Sequence, residues 1–413
     1  MKALLILATF FIPLFATHDD SALPEATDDE GNVTIKVLIR ENVDGALIDV
    51  AGGYRVYNPE NGKVLSSGFH GKRYYLQANS VGLKWGEGYP GIHQIKITPK
   101  NSKTTILVDG IQYKGSIVVY DINSSIQIVN EVDVEDVLRA SLSSLLGNTN
   151  YEAATYDSVA IAARTNLYNT ILHSPNTYWN VHAKDIDYQS HAAVLSNPNI
   201  ERSVLSTKHL ILAYNDKPFA TSWTEHSGGR TASYESIFRK KGPGPEGVFV
   251  GYAQKMREES KWKSVLSVAE LAKLTGLEKI KAIDLFQDPT SKKVYAIRFT
   301  DEKTFAEWTV FELRQKIGLN RILSSDFTVH LIRDHVEFNG YGRGYGVGVC
   351  LFTADQMAKI GDSAPQILSH FFPESILVKL NTLPKNLFTN EAQSNDIKEN
   401  SKNAAPESLT KKG

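Results

Sequence analysis

One acidic side chain stands where it could move a proton. Glu225 lies inside the turn WTEHSGGRT, residues 223–231. Burial raises the pKa of a carboxylic acid, which suits it to protonate a leaving oxygen. Glu225 is therefore a candidate catalytic residue. Ser227 could act as a nucleophile only with a base and an oxyanion hole, and it lacks the GxSxG elbow. Ser227, Gly228 and Gly229 are read instead as structural or substrate-contacting. His182, Asp185, Asp187 and His191 fall within ten residues, but without HExxH or equivalent ligand spacing. A polar loop is expected there, with no metal, and no motif asks for a cofactor. Cys350, in an apolar run, reads as a buried inert thiol.

The segment GYGRGYGVG, residues 340–348, is not a phosphate loop, because no Lys followed by Ser or Thr comes after its glycines. Read as a strand, it puts Gly340, Gly342, Gly344, Gly346 and Gly348 on one face. Tyr341, Arg343, Tyr345 and Val347 take the other. A glycine face admits a second backbone or a sugar ring at close range. The first option is a tight backbone crossing. The second is a ligand groove in which Arg343 and Tyr345 bind substrate.

Elements must hold these residues. From Thr34 to about Val129, short runs such as NVTIKVLIRE, GIHQIKITPK and GSIVVYD carry β-branched residues between Gly, Asn and Asp turn signals. They predict a small β-rich domain at 34–124, with antiparallel pairing along TTILVDGIQYKGSIVVYD. Helical texture begins with DVEDVLRASLSSLL, which Asp133 or Asp136 could cap. The run TYDSVAIAARTNLYNTIL, residues 155–172, has Val159, Ala162, Ala163 and Leu167 at helical spacing. Arg164 and Thr165 are placed to hydrogen-bond across a packed interface. SVAELAKLTG and TVFELRQKIG read as helices closed by Gly276 and Gly318. KKVYAIRFT and DFTVHLIRDHVEFNG read as strands, and TADQMAKIG and APQILSHFF as short helices. The fold class is α+β, with the mixed domain spanning 125–382. Residues 383–413 have no apolar face and read as a disordered tail.

The chain has 413 residues, 42% of them hydrophobic, enough for real cores. With 45 basic and 46 acidic residues, it lacks the basic excess of a nucleic-acid protein. A single cysteine excludes an internal disulfide framework and a cysteine-rich zinc site. At the start, Lys2 precedes an apolar run from Ala3 to Ala16. That pattern fits a secretory signal peptide, residues 1–17, followed by a loose polar leader at 18–33. No other stretch reaches membrane length. The expected mature protein is exported, has no transmembrane span, and lies in the periplasm or cell envelope.

Several segments together resemble the SpoIID/LytB family of secreted peptidoglycan-cleaving proteins. VAIAARTNLY (159–168) resembles that family's alanine helix, and Gln189 in DYQS stands at the place of its Gln. WTEHSGGRT resembles its HSSSGGxT turn, and Trp262 stands where a Trp follows at a distance. FELRQKIGLNRILSSDF (311–327), GRGYGVGV (342–349) and MAKIGDSAPQILSHFFPESIL resemble its later motifs. The resemblance covers roughly 125–382 and implies a SpoIID-like mixed domain. It also implies substrate contacts from Gln189, the 227–229 turn, Arg343 and Tyr345. Implied partners are peptidoglycan glycan strands and other cell-wall enzymes.

Departures bear on mechanism. Active members resemble lytic transglycosylases with one Glu as acid and base. That position falls here at Leu145, or at Ser144 with a one-residue slip. The glycine signature's His falls at Tyr345, its Ser and Gln at Cys350 and Leu351, and the turn's His at Thr224. The Cys proposed to bind metal in some members has no counterpart. A glycan cut that forms a 1,6-anhydro ring needs one carboxylate to donate and then accept a proton. Glu152, Glu225 or Asp187 would have to supply it. Two main functions compete: a diverged peptidoglycan lytic enzyme, and a glycan-binding or scaffold protein that keeps the groove. A secreted adaptor using the β-rich domain is a third.

Overall fold

The computed structural model describes residues 33–174, 178–191, 197–240 and 242–380. The signal sequence, nearly all of the leader and the C-terminal tail expected from sequence lie outside these residues. The fold is α+β, with an N-terminal β-rich region followed by a mixed region of helices and short sheets. Two compact units are present. One comprises 40–110 and 115–128. The other takes in 34–39, 111–114 and everything described from 129 onward. Among the described residues, no helix is long and apolar enough to cross a membrane.

The first unit is all antiparallel. Gly45–Ala51 pairs with Lys72–Asn79 on one side and Thr105–Val108 on the other. Gln94–Pro99 pairs with Ser116–Ile122 and with Tyr54–Tyr57. The run at 105–122 was expected to pair antiparallel. It does so, but Thr105–Val108 and Ser116–Ile122 each pair with earlier strands. Alternate residues Ala46, Ile48 and Val50 are fully buried, the period of a strand with one face in a core. Trp85, also fully buried, satisfies its indole N–H on the Ile48 carbonyl at 3.2 Å.

The second unit is organised around a long helix. We label its helices α1 (Val134–Leu146), α2 (Ala153–His173), α3 (Pro198–Ser206), α4 (Tyr234–Phe238), α5 (Gly251–Lys255), α6 (Val268–Thr275), α7 (Val310–Ile317), α8 (Leu351–Lys359) and α9 (Ala364–Phe371). Helix α2 packs against α1, α3, α8 and α9 and against the strand Leu210–Ala213. Its alanines at 160, 162 and 163 are buried, and their small size lets these neighbours approach from several sides. Asp133 caps α1, accepting from the Glu135 N–H at 2.7 Å. Asp136 instead pairs with Arg139 and Lys114. Ser267 and Gly276 bracket α6, and a Thr309–Glu312 capping box opens α7. A second core gathers Trp262, Leu271, Phe299, Leu313 and Phe338 from α6, α7 and two three-stranded sheets.

Arg164 sits at the middle of α2 with no solvent exposure. Its guanidinium makes a bidentate pair with Glu135 of α1, at 2.7 and 2.8 Å. It also donates to Val204 O near the end of α3, to Thr207 Oγ1, and to Leu210 O at the start of the next strand. Thr165 receives the Leu212 N–H at 2.9 Å. One buried cation thus fixes α1, α3 and the strand against α2. A fully satisfied fork of this kind is stable only while every partner remains. Glu135→Gln is expected to lower stability by about 3–5 kcal/mol, because it leaves a buried charge without its counter-ion. Urea unfolding checks this, and a midpoint unchanged from wild type would contradict it.

Candidate functional site

The segment 340–348 does not continue as a strand. Of its glycines, Gly340 alone lies in the strand His335–Tyr341. Gly342, Gly344, Gly346 and Gly348 all have positive φ, between 69° and 97°. The single glycine face expected from sequence is therefore replaced by a tight, left-handed-rich turn. Its backbone crosses the segment 222–232. Val349 N–H donates to Ser222 O at 3.1 Å, Arg343 and His226 exchange backbone hydrogen bonds, and Ala232 N–H donates to Gly346 O at 2.8 Å. A Cβ on Gly348 would land on the Ser222 carbonyl oxygen, and one on Gly346 would land on the Lys293 side chain. The close approach explains the glycines.

Three more segments complete this junction. Ser324 and Ser325 donate their hydroxyls to the carbonyls of Tyr341 (2.7 Å) and Tyr345 (2.6 Å). Trp262 donates its indole N–H to Ser324 Oγ at 3.1 Å. Thr224 Oγ1 donates to Arg343 O at 2.6 Å and accepts from Gly346 N–H at 3.2 Å. Underneath, Lys293 is 1% exposed and donates to Ser227 O at 2.8 Å. Burial pushes its pKa down, against the pull of Asp326. Asp326 also holds Arg257 at 2.7 and 3.1 Å, and Arg257 donates to Gly228 O.

These bonds decide what the turn 226–229 can do. Ser227 is 1% exposed, and its Oγ lies 3.4 Å from the Gly229 N–H. Gly228 and Gly229 are buried, and Gly229 O accepts from Val250 N–H. The substrate-contact reading of Ser227, Gly228 and Gly229 gives way to a structural one, because their polar atoms are engaged inside the junction. Cys350 is fully buried, as expected, and receives the Ser227 N–H at 3.3 Å.

Beside the junction lies an open cleft of about 1400 Å³. Leu142 and Leu145 reach it from α1, Asp187 from the loop after Val181–His182, and Glu225, Arg343 and Tyr345 from the crossing. Phe311 and Arg314 reach it from α7. Leu145 is 40% exposed and presents an apolar side chain to the cleft. The Glu225 carboxylate is 62% exposed and lies 3.7 Å from Arg343 Nε. The burial its acid role required is missing. Its charge still reaches Tyr151, whose hydroxyl pKa is raised first by burial and then by Glu225.

Glu152 stands at the N-cap of α2. Its carboxylate makes no capping bond, its N–H donates to Asp355 Oδ1 at 2.8 Å, and the residue is exposed and off the cleft lining. Gln189 is likewise exposed and off the lining. Neither reaches the residues it was expected to join. Asp187 does line the cleft, in a left-handed conformation with φ 51° that Asp tolerates. Surrounding protein raises its pKa by desolvation although the residue keeps solvent access. Among the described residues, no group of three or more His, Cys, Asp or Glu could hold a metal ion.

Sequence reasoning missed Phe311 and Arg314. A signal existed. Val310, Leu313 and Ile317 follow the buried face of α7, and Phe311 falls off that face, a large apolar residue turned outward. No pattern could show that a cleft lay in front of it.

Residues 122–214 match the family model described as Stage II sporulation protein. This segment holds α1, α2, α3 and the strand Leu210–Ala213. An uncharacterized protein of Chlamydia pneumoniae is 32% identical over 181 residues, covering 43% of this chain and 65% of that protein. An uncharacterized protein of Brachyspira hyodysenteriae is 25% identical over 348 residues, covering 82% and 91%. A Bacillus subtilis protein described as stage II sporulation protein D is 27% identical over 175 residues, covering 42% and 49%. The chain spans less than two thirds of the length of the chlamydial relatives it matches, 65% and 62%. The similarity to stage II sporulation protein D is thus distant and covers part of the chain.

Two expected outcomes follow from the junction. Gly348→Ala meets both a backbone oxygen and positive φ, and should cost about 3 kcal/mol or more. Gly276→Ala, with open space and a similar φ, should cost only about 1 kcal/mol. Equal losses in denaturant melts would refute the crossing. The second concerns His226. Its Nδ1 accepts from Gly228 N–H at 3.1 Å, and its Nε2 is buried with no hydrogen-bond partner. Burial, then the charges of Lys293 and Arg257, lower its pKa. The unfolded chain therefore takes up this proton first, and the stability is lost as pH falls from about 6.5 toward the folded value. In His226→Asn the side-chain oxygen can still accept from Gly228. Wild type should lose stability relative to this variant between about pH 7 and about pH 5. Parallel curves would contradict the assignment.

Proposed function

We propose that this protein is an exported, divergent member of the SpoIID/LytB family that holds peptidoglycan glycan strands in the cleft beside α1 without cutting them. The observation that carries this reading is Leu145, exposed on the cleft wall; the family resemblance implies the acid–base carboxylate at this position or at Ser144. A leucine neither protonates a glycosidic oxygen nor takes a proton from a sugar hydroxyl. The cleft itself is large and mixes aromatic, apolar and charged groups, the composition of a site for an extended polar ligand with apolar faces. Sequence motifs within and after the matched segment 122–214 support the family reading. The leader supports export.

A second reading is favoured by one residue. Asp187 lines the same cleft with a raised pKa, and it could act as acid and then base. The two readings separate in one experiment. Purified protein is incubated with intact glycan strands and with strands stripped of stem peptides, followed by pull-down and mass spectrometry of soluble products. Binding without release of soluble glycan is expected. Products ending in 1,6-anhydromuramic acid that vanish in Asp187→Asn would establish the second reading, and absence of binding would overturn both.

A further inference from the structure

We propose that one end of the β-rich unit is an interfacial anchor that sets Phe69 into an anionic phospholipid bilayer; the anchor stands whether or not the cleft holds a glycan. Three loops meet at this end. Residues 52–53 join Gly45–Ala51 to Tyr54–Tyr57, 69–71 join Val64–Gly68 to Lys72–Asn79, and 100–104 join Gln94–Pro99 to Thr105–Val108. Lys100 N–H and Thr104 Oγ1 both donate to Gly53 O, at 2.9 and 2.8 Å. A Cβ on Gly53 would meet the Lys100 side chain and lie 3.7 Å from Gly68 O, and one on Gly71 would land on Val50 O. The loops are therefore packed on one another at their bases.

Phe69 is carried outward on this base. It is 78% exposed, more than any other large apolar side chain among the described residues. Its loop is short, and Gly68 beneath it is closed by the Tyr54 ring, so the phenyl group has no core to enter. Its one ring partner is a cation, the Lys100 ammonium at 3.9 Å. Charge at this end has one sign. Residues 51–54, 68–73 and 99–105 hold Lys72, Arg73, Lys100 and Lys103 and no Asp or Glu. Two acids approach from further along the strands: Glu87 pairs with Lys72 at 2.8 Å, and Asp49 lies 3.7 Å from Arg73. Among the described residues no carboxylate pairs with Lys100 or Lys103. Tyr74 and Tyr75, 53% and 51% exposed, follow the loop by three and four residues.

The occupant follows from charge and shape. An aromatic tip with lysines beside it matches the boundary between acyl chains and phosphates: the ring enters the apolar layer and the ammonium groups stay among the phosphates. Tyrosines set behind the tip suit the headgroup level. A soluble polyanion would pair with Lys100 and Lys103 but leave the Phe69 ring in water. A folded partner needs roughly 800 Å² of complementary surface on each side, and this end offers one projecting apolar side chain. A fluid bilayer makes no such demand on shape. One phenyl ring and two free lysines give weak, reversible attachment, since stable anchoring takes more than one signal.

The test is co-sedimentation of the purified mature protein with vesicles of phosphatidylglycerol mixed with phosphatidylcholine, alongside vesicles of phosphatidylcholine alone. Wild type should bind the first, less so as salt rises, and should leave the second in solution. Phe69→Ser should weaken binding about tenfold, with the thermal melt of wild type. Lys100→Gln combined with Lys103→Gln should weaken it by about tenfold or more and flatten the salt dependence. Phe69→Trp should keep the affinity, and its added tryptophan emission should shift to the blue on anionic vesicles. No binding by wild type, equal binding to both vesicles, or an unshifted Phe69→Trp emission would overturn the anchor. Binding of Phe69→Ser as tight as wild type, with polyphosphate in solution competing fully, would make this end a polyanion site and overturn the lipid reading. Self-association of wild type without vesicles, lost in Phe69→Ser, would assign the tip to a second copy of the chain and overturn it equally.

Discussion

The crossing of two backbones at 222–232 and 342–350 is the constraint on which the candidate site depends. Backbones this close exclude side chains, and glycine at positive φ is the cheap solution. The four glycines at 342, 344, 346 and 348 all adopt it. Once the crossing forms, the residues between the glycines have little freedom. Arg343 and Tyr345 are delivered to the cleft wall, and Val347 is delivered to the core. Thr224, Ser324 and Ser325 then satisfy carbonyls and amides that the turn leaves open, as buried backbone groups demand, and Trp262 donates to the Ser324 hydroxyl. WTEHSGGRT, Trp262, the end of 311–327 and 342–349 thus meet at one place, and there they do structural work.

The opposite wall depends on a different lock. Arg164 and Glu135 hold α1 against α2, and α1 carries Leu145 to the cleft. The residue that α1 presents there is apolar. On the facing side, Thr224 bridges Arg343 O and Gly346 N–H, and Tyr345 is backed by Arg314.

Much of the architecture was legible in the sequence. The helix at 155–172, the cap at Asp133, the glycine stops at 276 and 318, and the strand character of 327–339 are local properties of spacing and turn chemistry. The interface role of Arg164 and Thr165 was readable because polar residues on an otherwise small, apolar helix face must find partners. The glycine run was only half legible. Strict alternation fits a strand, but it equally fits a turn with alternate left-handed residues, and the deciding fact is the segment 222–232 lying against it. Side-chain exposure was not legible at all. Glu225 was open to solvent, Ser227 closed from it, and Glu152 and Gln189 turned away, because burial depends on neighbours that are distant in sequence. Phe311 escaped for the same reason.

The central claim is that one cleft, bounded by Leu145 on one side and Phe311 on the other, receives a glycan strand. A crystal structure of the protein soaked with the β-1,4-linked N-acetylglucosamine hexamer tests it most directly. The account predicts sugar density along that cleft and no sugar oxygen in contact with Glu152. Density confined to the β-rich unit, or to a surface away from the cleft, would contradict it.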